Sequence, residues 1–203
     1  MKILIVSGFL GAGKTTFIKR LARNVDQRFA ILENEYGAAG IDGARLGQNR
    51  QGTQKNVWEM TEQCICCIGK KDFAASVLTI ANVVDPEYLI VEPTGVGSLA
   101  RIIENLRQIE YERIQLLSPV TIVDVYSYRR YMAEYPELYQ DQIRSADTII
   151  VSKTEACQAE EKQRIQKFLQ EINSQAKIIT DYASTMTREA VSYTHLRAHE
   201  TTL

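Results

Sequence analysis

Histidine is nearly missing from this chain: two in 203 residues, His195 and His199, both close to the C-terminus. Residues 1–190 therefore hold no imidazole, and a transition-metal site there must draw on sulfur or carboxylate. An excess of charge is missing too. Lys and Arg number 24 against 25 Asp and Glu, a net charge of −1, so no electrostatic footprint speaks for nucleic acid or an anionic membrane. No apolar run reaches the roughly 20 residues of a bilayer span. Only four cysteines are present, and three of them, Cys64, Cys66 and Cys67, crowd into four positions. That spacing suits a metal or redox site better than a disulfide framework. An apolar strand opens at Lys2, leaving no room for a signal peptide, so a cytoplasmic protein is expected.

What is present reads as one domain. The chain is 45% hydrophobic and 24% charged, ordinary globular values, and its length suits a single α/β unit. The end is different. From Val191 to Thr201 it resembles the in-frame translation of a transposon-type sequencing adapter, without apolar periodicity or a cap. The expected division is a domain over 1–190, truncated at its C-terminus, and a non-native tail over 191–203, which is set aside.

Gly8-Phe-Leu-Gly-Ala-Gly-Lys-Thr-Thr16 organises the rest. It fits G-x-x-x-x-G-K-[ST], follows the apolar run Lys2–Val6 and precedes a helical pattern from Phe17. Strand, glycine loop and helix together mark a phosphate loop. Gly8, Gly11 and Gly13 let backbone N–H groups, Ala12 and Thr16 among them, turn toward phosphate oxygens at a helix N-terminus. Lys14 reaches the β- and γ-phosphates, and the Thr15 hydroxyl is a Mg²⁺ ligand.

Strand patterns recur at 28–32, 88–91, 119–123, 148–151 and 177–180, and helical patterns at 15–25, 73–84, 98–108 and 160–172. Their alternation predicts a doubly wound, mostly parallel sheet flanked by helices. The polar stretch 44–59 reads as a mobile loop, with Trp58 a packing residue. The tyrosines of 126–143 read as packing residues in a partly helical segment. Ser98 is the expected cap of the helix that follows it.

Three further constellations carry chemistry. Glu92 ends an apolar strand three residues before Gly95, where a carboxylate can hold a Mg²⁺-bound water and a glycine N–H can meet the γ-phosphate. Ser152-Lys-Thr-Glu155 resembles the guanine-reading N-K-x-D. Lys153 stands in place, Glu155 offers its carboxylate to the guanine N1 and N2 hydrogens, and Ser152 replaces the amide. Cys64-Ile-Cys-Cys67 can bind one borderline ion, with zinc foremost, or can be three small buried apolar side chains. The residues alone leave that choice open.

Taken in order, these motifs, with Glu33-Asn-Glu-Tyr-Gly37, Thr121-Ile-Val-Asp124 and Ala146-Asp147, resemble the CobW/HypB/UreG family of phosphate-loop GTPases, most of all its CobW-type metal chaperones. The resemblance implies Mg²⁺-dependent GTP hydrolysis coupled to holding a transition metal, zinc, cobalt or nickel, and delivering it to a client metalloprotein. It assigns Lys14 and Glu92 to catalysis, Thr15 and Glu92 to Mg²⁺, and Glu33, Cys64, Cys66 and Cys67 to the transition metal. Ala38 stands where many relatives carry a second glutamate. No arginine finger is identifiable, so slow turnover is expected. The rival expectations are a GTPase with purely structural cysteines and a phosphate-loop small-molecule kinase.

Overall fold

A computed structural model describes residues 1–24, 29–33, 57–61 and 70–181, with side chains described for 1–22, 29–32 and 73–181. The elements are β1 (Lys2–Gly8), α1 (Lys14–Asn24), β2 (Phe29–Glu33), β3 (Val57–Thr61), α2 (Lys70–Val83), β4 (Tyr88–Glu92), α3 (Leu99–Arg107), β5 (Gln115–Leu116), β6 (Val120–Asp124), α4 (Tyr128–Glu134), α5 (Pro136–Arg144), β7 (Thr148–Ser152), α6 (Ala159–Ile172) and β8 (Lys177–Ile179). Seven strands lie in the order β3-β2-β4-β1-β6-β7-β8, with β5 beside the start of β1. Every pairing between these strands is parallel. The expected doubly wound α/β sheet is thus observed.

The central strand shows why the apolar runs are continuous. Along β1, Ile3 and Ile5 enter the core on one face of the sheet, Leu4 and Val6 the core on the other, and all four are buried. A strand covered on both faces has no reason to alternate. From β1 to β2 the chain moves one way, through α1. Through α2, α3, α4–α5 and α6 it moves the other way. Right-handed crossovers require helices of the two directions on opposite faces. Accordingly Phe17, Ile18 and Leu21 of α1 pack with Leu4, Val6 and Ile90. Val77 of α2, Leu106 of α3, Ile143 of α5 and Leu169 of α6 share the opposite core with Ile3, Ile5 and Leu89.

Two strands depart from the sequence reading. Val57–Thr61 is a strand, paired along its length with β2, although 57–59 falls in the stretch read as a loop. Val57, Trp58 and Met60 supply β propensity there, masked in the sequence by the polar run before them. β5 adds two residues to the edge of β1 that β6 continues. Between them Leu117 still donates its N–H to the Ile3 carbonyl at 2.8 Å, and the ladder breaks at Pro119, which brings no N–H. The expected helix at 98–108 is α3. The Ser98 hydroxyl accepts the Arg101 N–H at 3.3 Å as its cap, worth about 1 kcal/mol. No helix among the described residues is long and apolar enough to cross a membrane. The tail expected over 191–203 lies outside the described residues.

β1 leaves no room at its last residue. A Cβ on Gly8 would stand 2.5 Å from the Ile122 carbonyl oxygen of β6, and Gly8 has φ of +143°. Replacing Gly8 by alanine therefore forces two backbones apart and strains one of them. The expected loss is about 2–4 kcal/mol, read as a lower urea midpoint with unchanged slope.

Candidate functional site

Parallel strands end together, so one edge of the sheet collects the C-terminal residues of β1, β2, β4, β6 and β7. The crevice outside that edge is where doubly wound sheets bind ligands. Gly8 opens the phosphate loop there, and Gly11 and Gly13 carry φ of +73° and +100°. Ala12 is buried against the α1 face, while Thr15 and Thr16 are exposed in the first turn of α1. Lys14 is only 8% exposed. Its ammonium donates to the Phe9 carbonyl oxygen at 3.5 Å and stands 3.9 Å from Glu92 Oε1.

Glu92 ends β4 beside β1. Thr15 Oγ1 donates to its Oε1 at 3.2 Å and lies 3.4 Å from Oε2. Lys14, Thr15 and Glu92, the residues that the sequence reading gives to nucleotide and Mg²⁺, are brought together in space, Thr15 and Glu92 across 77 residues of chain. A hydroxyl and a carboxylate so placed are two hard oxygen donors, the set Mg²⁺ takes beside phosphate and water. Gly95 packs against the loop itself: a Cβ there would lie 2.6 Å from the Leu10 nitrogen. Only glycine admits that approach.

Glu33 ends β2 and is paired in register with Glu92 on one side and with Thr61, the last residue of β3, on the other. Its backbone therefore stands at the same edge. Cys64, Cys66 and Cys67 lie outside the described residues. They follow Thr61 by three to six positions in the chain.

At the far end, β7 delivers Ser152, Lys153 and Glu155. The Ser152 hydroxyl, buried, donates to the Ala12 carbonyl oxygen at 2.6 Å. Serine in place of the motif's asparagine thus ties the segment after β7 to the phosphate loop. Lys153 adopts φ of +60° and donates to Asp124 Oδ2 at 2.7 Å. Its side chain remains about half exposed (47%). Glu155 is exposed beside it.

Several contributors were not foreseen. Asp124, 5% exposed at the end of β6, accepts from the Tyr126 N–H at 2.9 Å, from Ser127 Oγ at 2.8 Å and from Lys153. Burial opposes its charge, but the Lys153 ammonium and the two other donors outweigh it and hold the carboxyl below its ordinary value. Tyr131, read from sequence as a packing residue, donates its hydroxyl to the Leu10 carbonyl oxygen at 2.9 Å. Phe9 of the loop sits among Tyr131, Tyr135 and Tyr139, with ring centroids 4.7, 5.9 and 5.0 Å away. The tyrosine-rich segment is therefore both packing and part of the loop's support. Its spacing hinted at a helical face, and nothing in it named the loop as partner.

A phosphate loop at the switch point of a parallel sheet, with a lysine, a hydroxyl and a strand-end carboxylate converging on it, defines a P-loop nucleoside-triphosphate-binding domain. The chain belongs to the CobW/HypB/UreG family, whose nucleotide-binding domain model matches residues 2–180. It is 30% identical over 178 residues to the zinc chaperone YeiR of Escherichia coli, covering 86% of this chain and 53% of that protein. With the zinc chaperone CobW of Pseudomonas aeruginosa it shares 27% identity over 194 residues, 81% of this chain and 52% of that one. The crystal structure of Zn(II)-bound YjiA GTPase from E. coli superposes with a TM-score of 0.66 at 22% identity, covering 89% and 57% of the two chains. That likeness is one of fold. The chain spans about half the length of the curated relatives it matches.

Asp124 yields a pH test. Its folded-state pKa lies below the ordinary 3.8, so its contribution is present above that value and is lost as pH falls through the folded pKa. Asp124→Asn should lower stability at pH 7 by about 1–2 kcal/mol. In melts taken down the pH scale, the gap between the two proteins should close below pH 3.8.

Proposed function

We propose that this chain is the GTP-binding, GTP-hydrolysing domain of a metallochaperone, one that couples its nucleotide state to binding a transition metal and passing it to a client metalloprotein in the cytoplasm. The observation that carries the reading is the meeting of Lys14, Thr15 and Glu92 at the phosphate loop. The zinc chaperones YeiR and CobW, to which the chain is similar, support zinc as the cargo, with cobalt and nickel as further members of the same ligand class.

The chain's own residues supply the following work. Loop N–H groups between Gly8 and Thr16, other than that of Ala12, which the sequence reading includes but which donates to the Phe9 carbonyl oxygen at 3.1 Å, bind the phosphates together with the Lys14 ammonium. Glu155 accepts the guanine N1 and N2 hydrogens, the Lys153 stem covers the base, and Ser152 holds both loops at a fixed distance. The Gly95 N–H meets the γ-phosphate. Glu92, on the neighbouring strand, would hold a Mg²⁺-bound water. Thr15 and Glu92 would hold Mg²⁺, which neutralises phosphate charge when bound. Glu33 and the thiolates of Cys64, Cys66 and Cys67 take the metal cargo. The register supports this grouping, because Glu33 pairs with both Glu92 and Thr61. Slow turnover is expected, since no arginine finger is identifiable in the sequence. Residues 1–190 form this domain, and 191–203 is an adapter-derived tail.

Calorimetry with GTP, GDP and ATP in the presence of Mg²⁺, and with Zn²⁺ separately, tests the reading. GTP should bind more tightly than ATP. Lys14→Ala should weaken GTP by about 1.5–3 kcal/mol, the worth of a charge-assisted contact. Zinc binding should collapse in Cys66→Ser. A protein that binds GTP but never zinc is the GTPase with structural cysteines. One that prefers ATP and turns over only with a small-molecule acceptor is the kinase.

A further inference from the structure

Gln142 lies on α5 and is 1% exposed. Its Nε2 donates to two carbonyl oxygens of the loop after β4, Gly95 at 3.0 Å and Gly97 at 3.1 Å. Its own backbone carbonyl accepts the Thr121 hydroxyl of β6 at 2.8 Å, so the side chain springs from a fixed point. Its Oε1 is buried and meets no hydrogen-bond partner among the described residues. The orientation is not arbitrary, because the flipped amide would turn its oxygen toward two other oxygens.

An unmet buried acceptor weakens a fold, while the amide donor of the same side chain serves two loop carbonyls that an apolar side chain of its size would leave unpaired. A residue chosen for packing alone is a poor explanation. The loop it grips gives a better one. Gly95 is pressed on its other side against the Leu10 peptide, and the Gly97 N–H closes a turn onto the Thr94 carbonyl at 3.0 Å. Asp141, next to Gln142, accepts the Leu99 N–H at 2.7 Å where the loop becomes α3. Two consecutive side chains of α5 thus hold the loop's middle and its exit.

We infer that Gln142 is a positioning residue for nucleotide hydrolysis: by holding the Gly95 and Gly97 carbonyls from α5, it sets where the Gly95 N–H stands against the phosphate loop. This rests on the nucleotide reading above. It acts on the triphosphate state, because only a γ-phosphate engages that N–H. GDP, bound by the phosphate loop and the base-reading loop, is indifferent to it.

The test compares Gln142→Met with the unsubstituted chain for GDP affinity, affinity for a non-hydrolysable GTP analogue, single-turnover GTP hydrolysis and melting temperature. Expected are a fall of about tenfold in analogue affinity and in hydrolysis and a GDP affinity within about threefold of the original. Hydrogen exchange at residues 95–97 should quicken in the analogue complex. Gln142→Glu keeps the shape but offers carboxylate oxygens to carbonyls at neutral pH, so it should lose at least as much. Equal effects on GDP and the analogue, or no effect on either, would overturn the inference, as would a failure of both variants to fold. If the unsubstituted chain binds no nucleotide, the preceding reading falls, and this one with it. If it does bind and the variants discriminate unchanged, this one falls alone.

Discussion

A nearly buried ammonium cannot stand without a counter-charge, because an unpaired ion in a low dielectric costs far more than a fold can bear. Lys14 is such a group, and Glu92 is the carboxylate beside it. The same carboxylate takes the Thr15 hydroxyl. One acid at the end of β4 therefore fixes the first turn of α1 against the neighbouring strand. This anchors the spacing between the phosphate loop and the segment from Pro93 to Gly97. The sheet order makes the meeting possible, since β4 is inserted between β2 and β1 and brings Glu92 beside the loop and Glu33 together.

Around that centre the phosphate loop is held from three directions. Ser152 reaches it from β7 through the Ala12 carbonyl. Tyr131 reaches it from α4 through the Leu10 carbonyl, with Phe9 seated among the tyrosines. The Gly95 loop presses on it directly and is gripped in turn from α5. The Ser152 and Tyr131 tethers end on main-chain carbonyls, and the Gly95 loop meets the Leu10 peptide by close packing. The two tethers engage loop carbonyls, not loop N–H groups, of which Ala12 donates within the loop to the Phe9 carbonyl oxygen, and they remove freedom from the backbone. Pre-organisation of this kind lowers the ordering cost a ligand must meet.

Much of this was legible in the residues. The phosphate loop announced itself because glycine spacing, lysine and hydroxyl are all dictated by one ligand. Glu92 could be placed because a strand-end acid before a glycine has few other uses. The parallel sheet followed from apolar runs alternating with amphipathic helices. Less legible was whatever depends on partners distant in the chain. Nothing near Gln142 says that its amide serves Gly95, 47 residues earlier. Asp124 looked like a strand end until its register beside Ser152 brought Lys153 over it. β3 hid behind a polar run, since a five-residue strand at a sheet edge carries little periodicity of its own. Ser152 read as a lost amide, whereas in space its hydroxyl is a tether.

The central claim is that the nucleotide and the metal feel one another across the edge where Glu92, Glu33 and Thr61 stand side by side. Linkage makes such coupling reciprocal. The most direct measurement is the affinity for a non-hydrolysable GTP analogue, and for GDP, each taken with and without saturating Zn²⁺. The account predicts that zinc changes the analogue's affinity by at least about fivefold and GDP's by less. Equal affinities with and without zinc for both nucleotides would contradict it.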